Sequence, residues 1–474
     1  MDLPVIDTPV FPRWVWIEEI TYSHIPIATL VTAYMLLAPV LEYIGMRRKD
    51  PRLDRLSKSF IWFSMILFSP GAALGTGIPV FIIGTYPEFW SRWSNLFFWP
   101  LVAQFMFFLA EVGFLFFGYY LTWDRWSNRK RLHITMGVAA ATMGLLVQSV
   151  WDALGGYMMT PGGVALPGVD QPVGWSARAF FNPSFPYLLT HRIFGNFSYV
   201  LMLTGGVFAL RFMKAPKKPE DSIGKKLEDR QYFRWASNFC FITGFLFFFA
   251  MPIIGWGYAK LIQAEAPVAF HAMMGGHVTT HLTVKMFLIA VMVVIATTYV
   301  AMRYRGRALA SAITVGLLIV GGVTHLHPPL DWLGSSAIVW RVAVTVVIGA
   351  AIAWLWLMRG RGNPDSKFWR WALFVAGIAA FFTFCLGGFI RESSKNPDTV
   401  YGELVKPELT PMEADRYLVY KSCLGCHHRK TDELGDYDVK DWSKKVADER
   451  IKRKMTITDD EAERIIRYLQ EHQP

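Results

Sequence analysis

Ten apolar runs constrain this chain more than any other feature of its sequence. A transmembrane helix needs about 20 consecutive, mostly apolar residues, and the 474 residues contain such runs at 26–46, 60–83, 96–122, 134–156, 186–210, 236–257, 283–302, 308–324, 336–358 and 368–390. Backbone groups inside a membrane must be hydrogen-bonded within the chain, so these runs predict helices. The sequence therefore predicts an all-α fold, a polytopic transmembrane helical bundle of about ten spans.

Short basic loops predict the orientation of this bundle. Loops rich in Lys and Arg alternate along the chain with connections that hold at most one such residue each. Basic loops remain on the cytoplasmic side, so we expect both termini on the periplasmic side of a bacterial inner membrane. The net charge of +11 comes largely from these loops. It therefore indicates a protein partnered by the lipid bilayer and not by nucleic acid.

The motif Cys423-Leu424-Gly425-Cys426-His427 is typical of covalent haem attachment. Two thiols bond the porphyrin edge, and the adjacent imidazole binds the iron. A redox dithiol or half a zinc site is the alternative, but no second cysteine pair exists to complete a zinc site. We therefore predict one haem c held by Cys423, Cys426 and His427, with Met455 as the sixth ligand and His472 as a weaker candidate.

The chain around this motif is polar and predicts a separate small domain. Residues 393–409 are punctuated by proline and predict a linker, and residues 410–474 predict an α-helical cytochrome c domain. Thr410-Pro411 with Glu413, and Thr458 with Glu461, have the spacing of capping boxes. The predicted order is helix, haem motif, loop, helix, after a membrane domain at 1–392.

Seven histidines fall at the predicted outer ends of the spans, namely His24, His191, His271, His277, His281, His325 and His327. A polar group inside a membrane is costly and usually functional, and imidazole is a common ligand of haem iron. We therefore predict two or more haems b in this outer layer. His133 lies at the inner side and is predicted to be an interfacial residue.

Several stretches resemble subunit I of the cytochrome bd quinol oxidases. They are "SHIPIATLVTAYML", "WPLVAQFMFFLAEVGFLFFGYYLTWDRW", "GLLVQSVWDALGGYMMTPGG" and "THRIFGNFSYVLM" after "FFNPSFPY", and the similarity covers roughly 15–257 and 335–403. The resemblance implies three haems near the outer face, quinol oxidation and oxygen reduction there, and a second membrane subunit as partner.

The resemblance also implies roles for individual residues. His24 matches the axial ligand in the high-spin haem pair, and His191 matches one ligand of the low-spin haem b. Glu111 matches a glutamate beside the oxygen-reducing haems. Glu392 falls where the family has a further haem-ligating carboxylate, and Arg341 matches the arginine beside the low-spin haem.

Other positions depart from the family. Ala343 stands where the family supplies a methionine to the low-spin haem, Gln104 replaces a span-three glutamate, and Gly388 replaces a tryptophan. The segment Ser394-Lys395-Asn396-Pro397-Asp398 replaces a glycine-arginine-glutamine-proline-tryptophan signature. These departures argue against oxygen chemistry and leave the presence of haem d open.

An inserted two-span hairpin at about 265–330 takes the place of the family's outer quinol-binding loop. It carries five of the outer histidines. His277 and His281 are four residues apart and share one helical face. We predict that one of them, or His325 or His327, pairs with His191 or binds an additional haem.

Three functions follow from these observations. The favoured one is a relay that moves electrons between quinone and a periplasmic cytochrome or other redox protein through haems b and haem c, with Glu111, Glu392 or a histidine accepting protons. The second is a terminal oxygen reductase into which haem c feeds electrons. The third is a non-catalytic membrane anchor for a cytochrome c in a larger complex.

Overall fold

The protein is described by a computed structural model that covers residues 6, 10, 13–162, 164, 174–215, 225–266, 269–270, 279–304, 363–392, 394, 411–423, 441–453, 455 and 457–472. These residues are mostly helical, and no strand occurs among them. The helices are α1 (Arg13–Arg48), α2 (Pro51–Thr85), α3 (Pro87–Leu96), α4 (Phe98–Val112), a π-helix (Gly113–Tyr120), a 3₁₀ turn (Ser127–Arg129), α5 (Lys130–Tyr157), α6 (Ala177–Phe180), α7 (Ser184–Lys214), α8 (Lys225–Phe248), α9 (Ala250–Glu265), α10 (Thr279–Tyr304), α11 (Lys367–Glu392), α12 (Pro411–Cys423), α13 (Trp442–Arg453) and α14 (Asp459–His472).

Eight helical segments of the described residues are long and apolar enough to cross a membrane. They coincide with eight of the predicted spans, and the runs at 308–324 and 336–358 lie outside the described residues. Large apolar side chains such as Trp62, Phe105 and Phe117 are exposed on the bundle surface, as expected of residues that face lipid. The prediction of a polytopic helical bundle is confirmed.

The observed helices extend beyond the apolar runs. Helix α1 begins at Arg13, before the run at 26–46, and continues through Pro26 and Pro39. Proline is tolerated in membrane helices, and the Tyr199 hydroxyl of the helix at 184–214 donates to the Pro26 carbonyl at 2.8 Å, which joins the two helices at this point. The predicted span at 236–257 consists of two helices, α8 and α9, which meet at Phe249.

Helix α7 is held between α8 and α11 by glycine contacts. A Cβ added to Gly205 of α7 would lie 2.6 Å from the Phe241 backbone nitrogen of α8. A Cβ added to Gly377 of α11 would lie 2.8 Å from the Met202 carbonyl oxygen of α7. Glycine permits backbones to approach this closely, as is common between membrane helices. The backbone of α7 is therefore fixed against both neighbours.

The helix directions give the bundle two ends, which we call the histidine end and the basic end. The histidine end contains the first turns of α1, α7 and α10 and the last turns of α11. The basic end contains the last turns of α1 and the first turns of α2, α5 and α8. Charges at the basic end are largely paired: Lys130 binds Asp54, and Arg55 binds Asp229 at 2.6 Å while stacking over the Tyr232 ring at 4.0 Å.

The tail forms a small helical unit of α12, α13 and α14. Its core consists of Leu418, Val419, Val446, Ala462, Ile465 and Leu469, with Cys423 packed against it. The predicted capping box at α14 is confirmed, because the Thr458 amide donates to Glu461 at 2.8 Å and the Glu461 amide donates to Thr458 Oγ1 at 3.2 Å. The predicted order of the tail was wrong in one respect: α13 is an additional helix, and Asp441 caps its first turn through the Lys444 amide.

Candidate functional site

His24 presents one imidazole nitrogen with a free lone pair at the histidine end. Its Nδ1 lies 2.9 Å from the Gly71 carbonyl of α2, and because a carbonyl only accepts, Nδ1 carries the proton. Nε2 then retains a lone pair, which is the arrangement that metal-ligating histidines usually show. The ring lies flat against Gly75, where an added Cβ would be 2.7 Å from His24 Cε1.

Glu111 lies deep in the bundle on α4. Its side chain is buried and has no hydrogen-bond or ion-pair partner among the described residues. It faces Gly144 of α5, where an added Cβ would be 3.0 Å from Glu111 Oε1. The π-helix begins two residues later, at Gly113, and π-helical turns occur frequently at functional sites. A carboxyl group in this position can hold a proton away from bulk water.

His191 offers a second unsatisfied imidazole. It lies in the second turn of α7, and its Nδ1 is buried without a hydrogen-bond partner in the described structure. Gly255 of α9 faces the ring, and an added Cβ there would be 3.4 Å from His191 Cε1. Buried polar atoms without partners are rare and need an explanation. A bound cofactor is one explanation for His191.

His281 and Lys285 share one face of α10, four residues apart. His281 Nδ1 is also buried without a partner in the described structure, and its ring packs on Phe389 of α11 with 4.5 Å between centroids. Lys285 approaches Gly387, where an added Cβ would lie 3.1 Å from Nζ. Lys285 and Arg391 are the cations whose charges act on His191. The sequence analysis missed Lys285, although a lysine within a predicted span is an informative signal.

Glu392 is paired with its neighbour in the chain. Arg391 binds the Glu392 carboxylate and reaches α5, where a Cβ added to Gly155 would lie 3.3 Å from Arg391 Nη1. One turn before Gly155, the fully buried Asp152 binds Arg192 of α7. The histidine end therefore contains two ion pairs that are largely shielded from solvent, which the sequence analysis also missed.

A chain of amides extends this polar group between α5 and α7. Asn196 donates to Gln148 at 2.9 Å, and Gln148 donates to Asp152 at 3.2 Å. Such a network joins α5 to α7 at the level of His191. It is recognisable in the sequence only as polar residues inside two predicted spans.

His133 corrects the sequence prediction. It was expected at the membrane interface, but its side chain is buried at the basic end. Its Nδ1 lies 2.9 and 3.0 Å from the two Glu42 carboxyl oxygens, and its Nε2 lies 2.9 Å from the Tyr119 carbonyl oxygen. The partner Glu42 is 91 residues away in sequence, so local sequence could not show the contact.

The tail places two predicted haem-binding residues within its described part. Cys423 is the last residue of α12 and packs against the tail core. Met455 lies between α13 and α14 and is partly buried, and its amide donates to the Arg450 carbonyl at 3.1 Å. Cys426 and His427 lie outside the described residues.

Four further predicted site residues, His277, His325, His327 and Arg341, also lie outside the described residues. In the described part, no group of three or more His, Cys, Asp and Glu side chains is placed to hold a metal ion. Single imidazoles on separate helices, with free nitrogens, suit the axial positions of a porphyrin-bound iron. By donor chemistry and burial, His24 and His191 therefore fit a haem.

Comparison with known proteins gives one family and one fold. Residues 15–420 match the family described as cytochrome bd terminal oxidase subunit I. Among solved structures, a bd oxidase from Geobacillus thermodenitrificans is similar, with 19% sequence identity and a TM-score of 0.57 over 81% of this chain and 87% of that chain. No curated protein matches the chain.

Proposed function

Because this chain belongs to the cytochrome bd terminal oxidase subunit I family, we propose that it is the quinol-oxidising, oxygen-reducing subunit of a terminal oxidase, into which the tail haem feeds electrons. The observation that supports this proposal most is the arrangement of His24, which matches the family's axial ligand. Its protonated Nδ1 is fixed on Gly71, and its Nε2 is left for iron. A second membrane subunit completes the enzyme.

A bound haem supplies one-electron redox chemistry and, where one axial position stays open, a place for oxygen. His24 would hold the high-spin haem through Nε2, and Gly75 makes room for the imidazole beside α2. His191 would hold the low-spin haem b, with His281 as the described residue that can take the place of the missing methionine. The buried, unpartnered Nδ1 atoms of His191 and His281 support this assignment.

Charged residues near these imidazoles set the electrostatics of the site. A positive charge close to a haem disfavours loss of an electron, so Lys285 and Arg391 would raise the potential of a haem held by His191. Either cation could also neutralise a porphyrin carboxylate. Glu111 would hold a proton within the bundle and release it to reduced oxygen.

Quinol oxidation releases two electrons and two protons, and the reduction of oxygen to water consumes four of each, so two quinols balance one oxygen. We place quinol oxidation at the histidine end on the periplasmic side, and the basic end in the cytoplasm. Cys423, Cys426 and His427 would bind haem c, with Met455 as its sixth ligand. A periplasmic cytochrome or other redox protein would deliver electrons there.

The relay between quinone and a periplasmic redox protein is the second candidate function. One observation favours it: the carboxylate of Glu392 binds Arg391, so it is engaged in an ion pair where the family would offer it to iron. The substitutions Gln104, Ala343 and Gly388 point the same way. In the relay, electrons leave through the tail haem and oxygen is not reduced.

Spectroscopy of the purified protein separates the two candidates. The oxidase proposal expects a reduced, carbon-monoxide-sensitive haem that disappears in His24→Ala, and oxygen consumption driven by quinol. Cys423→Ser should remove the covalent haem and leave the membrane haems. A protein without any carbon-monoxide-sensitive haem, but with quinol-dependent reduction of an external cytochrome c, would refute the oxidase proposal and support the relay.

A further inference from the structure

We propose that Glu42 and His133 form a buried proton-binding site at the basic end, from which protons pass to Glu111. This inference rests on the proposed function, because the reduction of oxygen to water consumes as many protons as electrons. Neither the resemblance nor the outer histidine layer singled out Glu42 or His133.

The hydrogen bonds fix one shared proton between the two side chains. His133 Nε2 lies 2.9 Å from the Tyr119 carbonyl oxygen, which only accepts, so Nε2 carries a hydrogen. The Tyr119 hydroxyl donates to Glu42 Oε2 at 2.9 Å. His133 Nδ1 lies 2.9 Å from Glu42 Oε1, so the contact is a hydrogen bond only when one proton lies between them. Whether that proton belongs to the imidazole or to the carboxyl group, the pair stores it.

The pair is enclosed on all sides. The side chains of His133 and Glu42 are 2% and 1% exposed. The His133 ring is flanked by the Tyr119 ring, with 4.4 Å between centroids, and by the Trp123 ring, with 4.8 Å between centroids. Ser57 of α2 donates to the Ala38 carbonyl and lies 3.4 Å from the Tyr119 hydroxyl. A buried ion pair contributes little stability compared with apolar packing, so structure alone is a weak reason for placing these two groups inside the bundle.

Asp54 of α2 connects the pair to the aqueous side. Its carboxylate binds Lys130 of α5 through one oxygen, while the other oxygen, Oδ1, is buried without a hydrogen-bond partner in the described structure. A Cβ added to Gly45 would lie 3.0 Å from this oxygen, and Gly45 is one helical turn beyond Glu42 on α1. The Asp54 side chain is 34% exposed, so it can take protons from water. Asp54 of α2 and Lys130 of α5 form an ion pair at this end of the interface.

Glu111 lies farther along the same interface between α1, α4 and α5. Met35 precedes Glu42 by seven residues, or about 10 Å along a helix. A Cβ added to Gly144 would meet both Met35 Cε at 2.6 Å and Glu111 Oε1 at 3.0 Å. The pair and Glu111 are thus placed at two levels of one interface.

Small residues and one hydroxyl lie between these two levels. Gly137, seven residues before Gly144 on α5, faces the Tyr119 ring at 2.8 Å from an added Cβ. Ala140 and Ala141 follow it, and both are buried. The Tyr119 hydroxyl donates to Glu42 and is the polar group that connects the pair to this interface.

The proposed transfer moves a proton and no electron. The N–H or O–H bond of the His133–Glu42 pair breaks, an O–H bond forms on the Glu111 carboxylate, and the pair regains a proton from the Asp54 side. The electrons that reduce oxygen come from quinol or through the tail haem, and the reduction is balanced when one proton enters for each electron.

The test uses the purified full-length protein and three variants. Glu42→Gln and His133→Gln remove the stored proton, and Tyr34→Phe is the matched control, because Tyr34 lies on α1 and loses a buried hydrogen bond of 2.8 Å to Thr204 instead. Infrared spectra recorded across a pH series detect the carboxyl group directly. This measurement therefore does not require the protein to reduce oxygen. We expect a carboxyl band that is absent in Glu42→Gln, shifted in His133→Gln and unchanged in Tyr34→Phe.

Quinol-driven oxygen consumption provides the second measurement. We expect Glu42→Gln and His133→Gln to lose about 100-fold in turnover, with the steepest loss at high pH, where protons are scarce, while the haem spectra and the Tyr34→Phe control remain as in the wild type. Tyr119→Phe removes the hydroxyl that contacts Glu42 and Ser57 but leaves both members of the pair in place. This variant should shift the same infrared band and replaces the charge variants if they do not fold.

The possible failures are distinguishable. A wild-type protein that consumes no oxygen refutes the proposed function, and the infrared series then still decides whether the pair binds a proton. Retention of the wild-type band and pH profile in both Glu42→Gln and His133→Gln overturns the inference itself.

Discussion

The described histidines of the membrane domain differ between the two ends of the bundle. At the basic end, both nitrogens of His133 are hydrogen-bonded to groups of the protein. At the histidine end, His191 and His281 each have a buried Nδ1 without a partner among the described residues, and His24 uses Nδ1 only. Because buried polar groups are normally satisfied, the comparison separates an imidazole whose hydrogen bonds the protein itself supplies from imidazoles that we propose are completed by a cofactor.

Removing an imidazole at the histidine end should have the largest effect on haem content and on turnover. We expect His191→Ala to lose the low-spin haem b and His24→Ala to lose the high-spin haem, with quinol-driven turnover falling to background in both. Haem content by pyridine haemochrome and the reduced-minus-oxidised spectrum provide the measurement. If His191→Ala retains the full haem b content, the unsatisfied nitrogen has another explanation.

Moving an imidazole without removing it should have the next largest effect. In Gly75→Ala the new methyl group would lie 2.7 Å from His24 Cε1, so the ring must shift away from its position on Gly71. We expect a loss of about 10- to 100-fold in oxygen consumption, the range typical of changes to groups that orient a ligand, and a weakened carbon monoxide difference spectrum. Gly113→Ala is the control, because a Cβ there meets nothing within 4 Å.

Breaking the ion pair between α5 and α7 tests the polar network near His191. Asp152 is fully buried and binds Arg192, so Asp152→Asn leaves a guanidinium without its counter-charge and should destabilise the bundle by about 3 kcal/mol. The apparent midpoint of thermal unfolding measures this effect. Asp50→Asn, at an exposed pair with Arg52, is the control and should change the midpoint little.

The smallest effect is expected in the tail, where the charges are satisfied as they are at the basic end. Burial acts to raise the pKa of Asp415, but hydrogen bonds from Arg467 and Arg464 outweigh it and hold the pKa below its ordinary value of 3.8. The contribution of Asp415 to stability is therefore fully present at neutral pH and is lost as the pH falls through the lowered pKa. Hydrogen exchange of α14 in the full-length protein should show a few-fold loss of protection in Asp415→Asn at pH 7, and no difference between variant and wild type below the lowered pKa.

Much of the fold could be predicted from the sequence, because membrane spans are determined by the length and apolarity of a single segment. The eight described spans, the start of α12 at Pro411 and the capping box of Thr458 all follow from local signals. Helix α13 was missed because it is short and mostly polar, and its contact with the tail core through Val446 depends on α12 and α14.

The sequence could predict which residues belong to the candidate site, but it could predict few of the contacts between them. His24, His191 and Glu111 were identified by their positions in the spans and by resemblance. The bonds between Glu42 and His133, and between Asp152 and Arg192, join residues 91 and 40 positions apart. Such pairs depend on how the helices pack, which no single span determines. Lys285 and Arg391 carried a usable signal, since charged residues within spans are uncommon.

The glycine contacts of α7 have a consequence for electron transfer. With Gly205 on one side and Gly377 on the other, the backbone of α7 touches its neighbours without intervening side chains that could yield. A change of charge at His191 must then be accommodated by local side chains and not by sliding of the helix. We therefore expect that a haem held by His191 would be oxidised and reduced with a small reorganisation energy, and that the rate of its electron exchange would depend weakly on temperature.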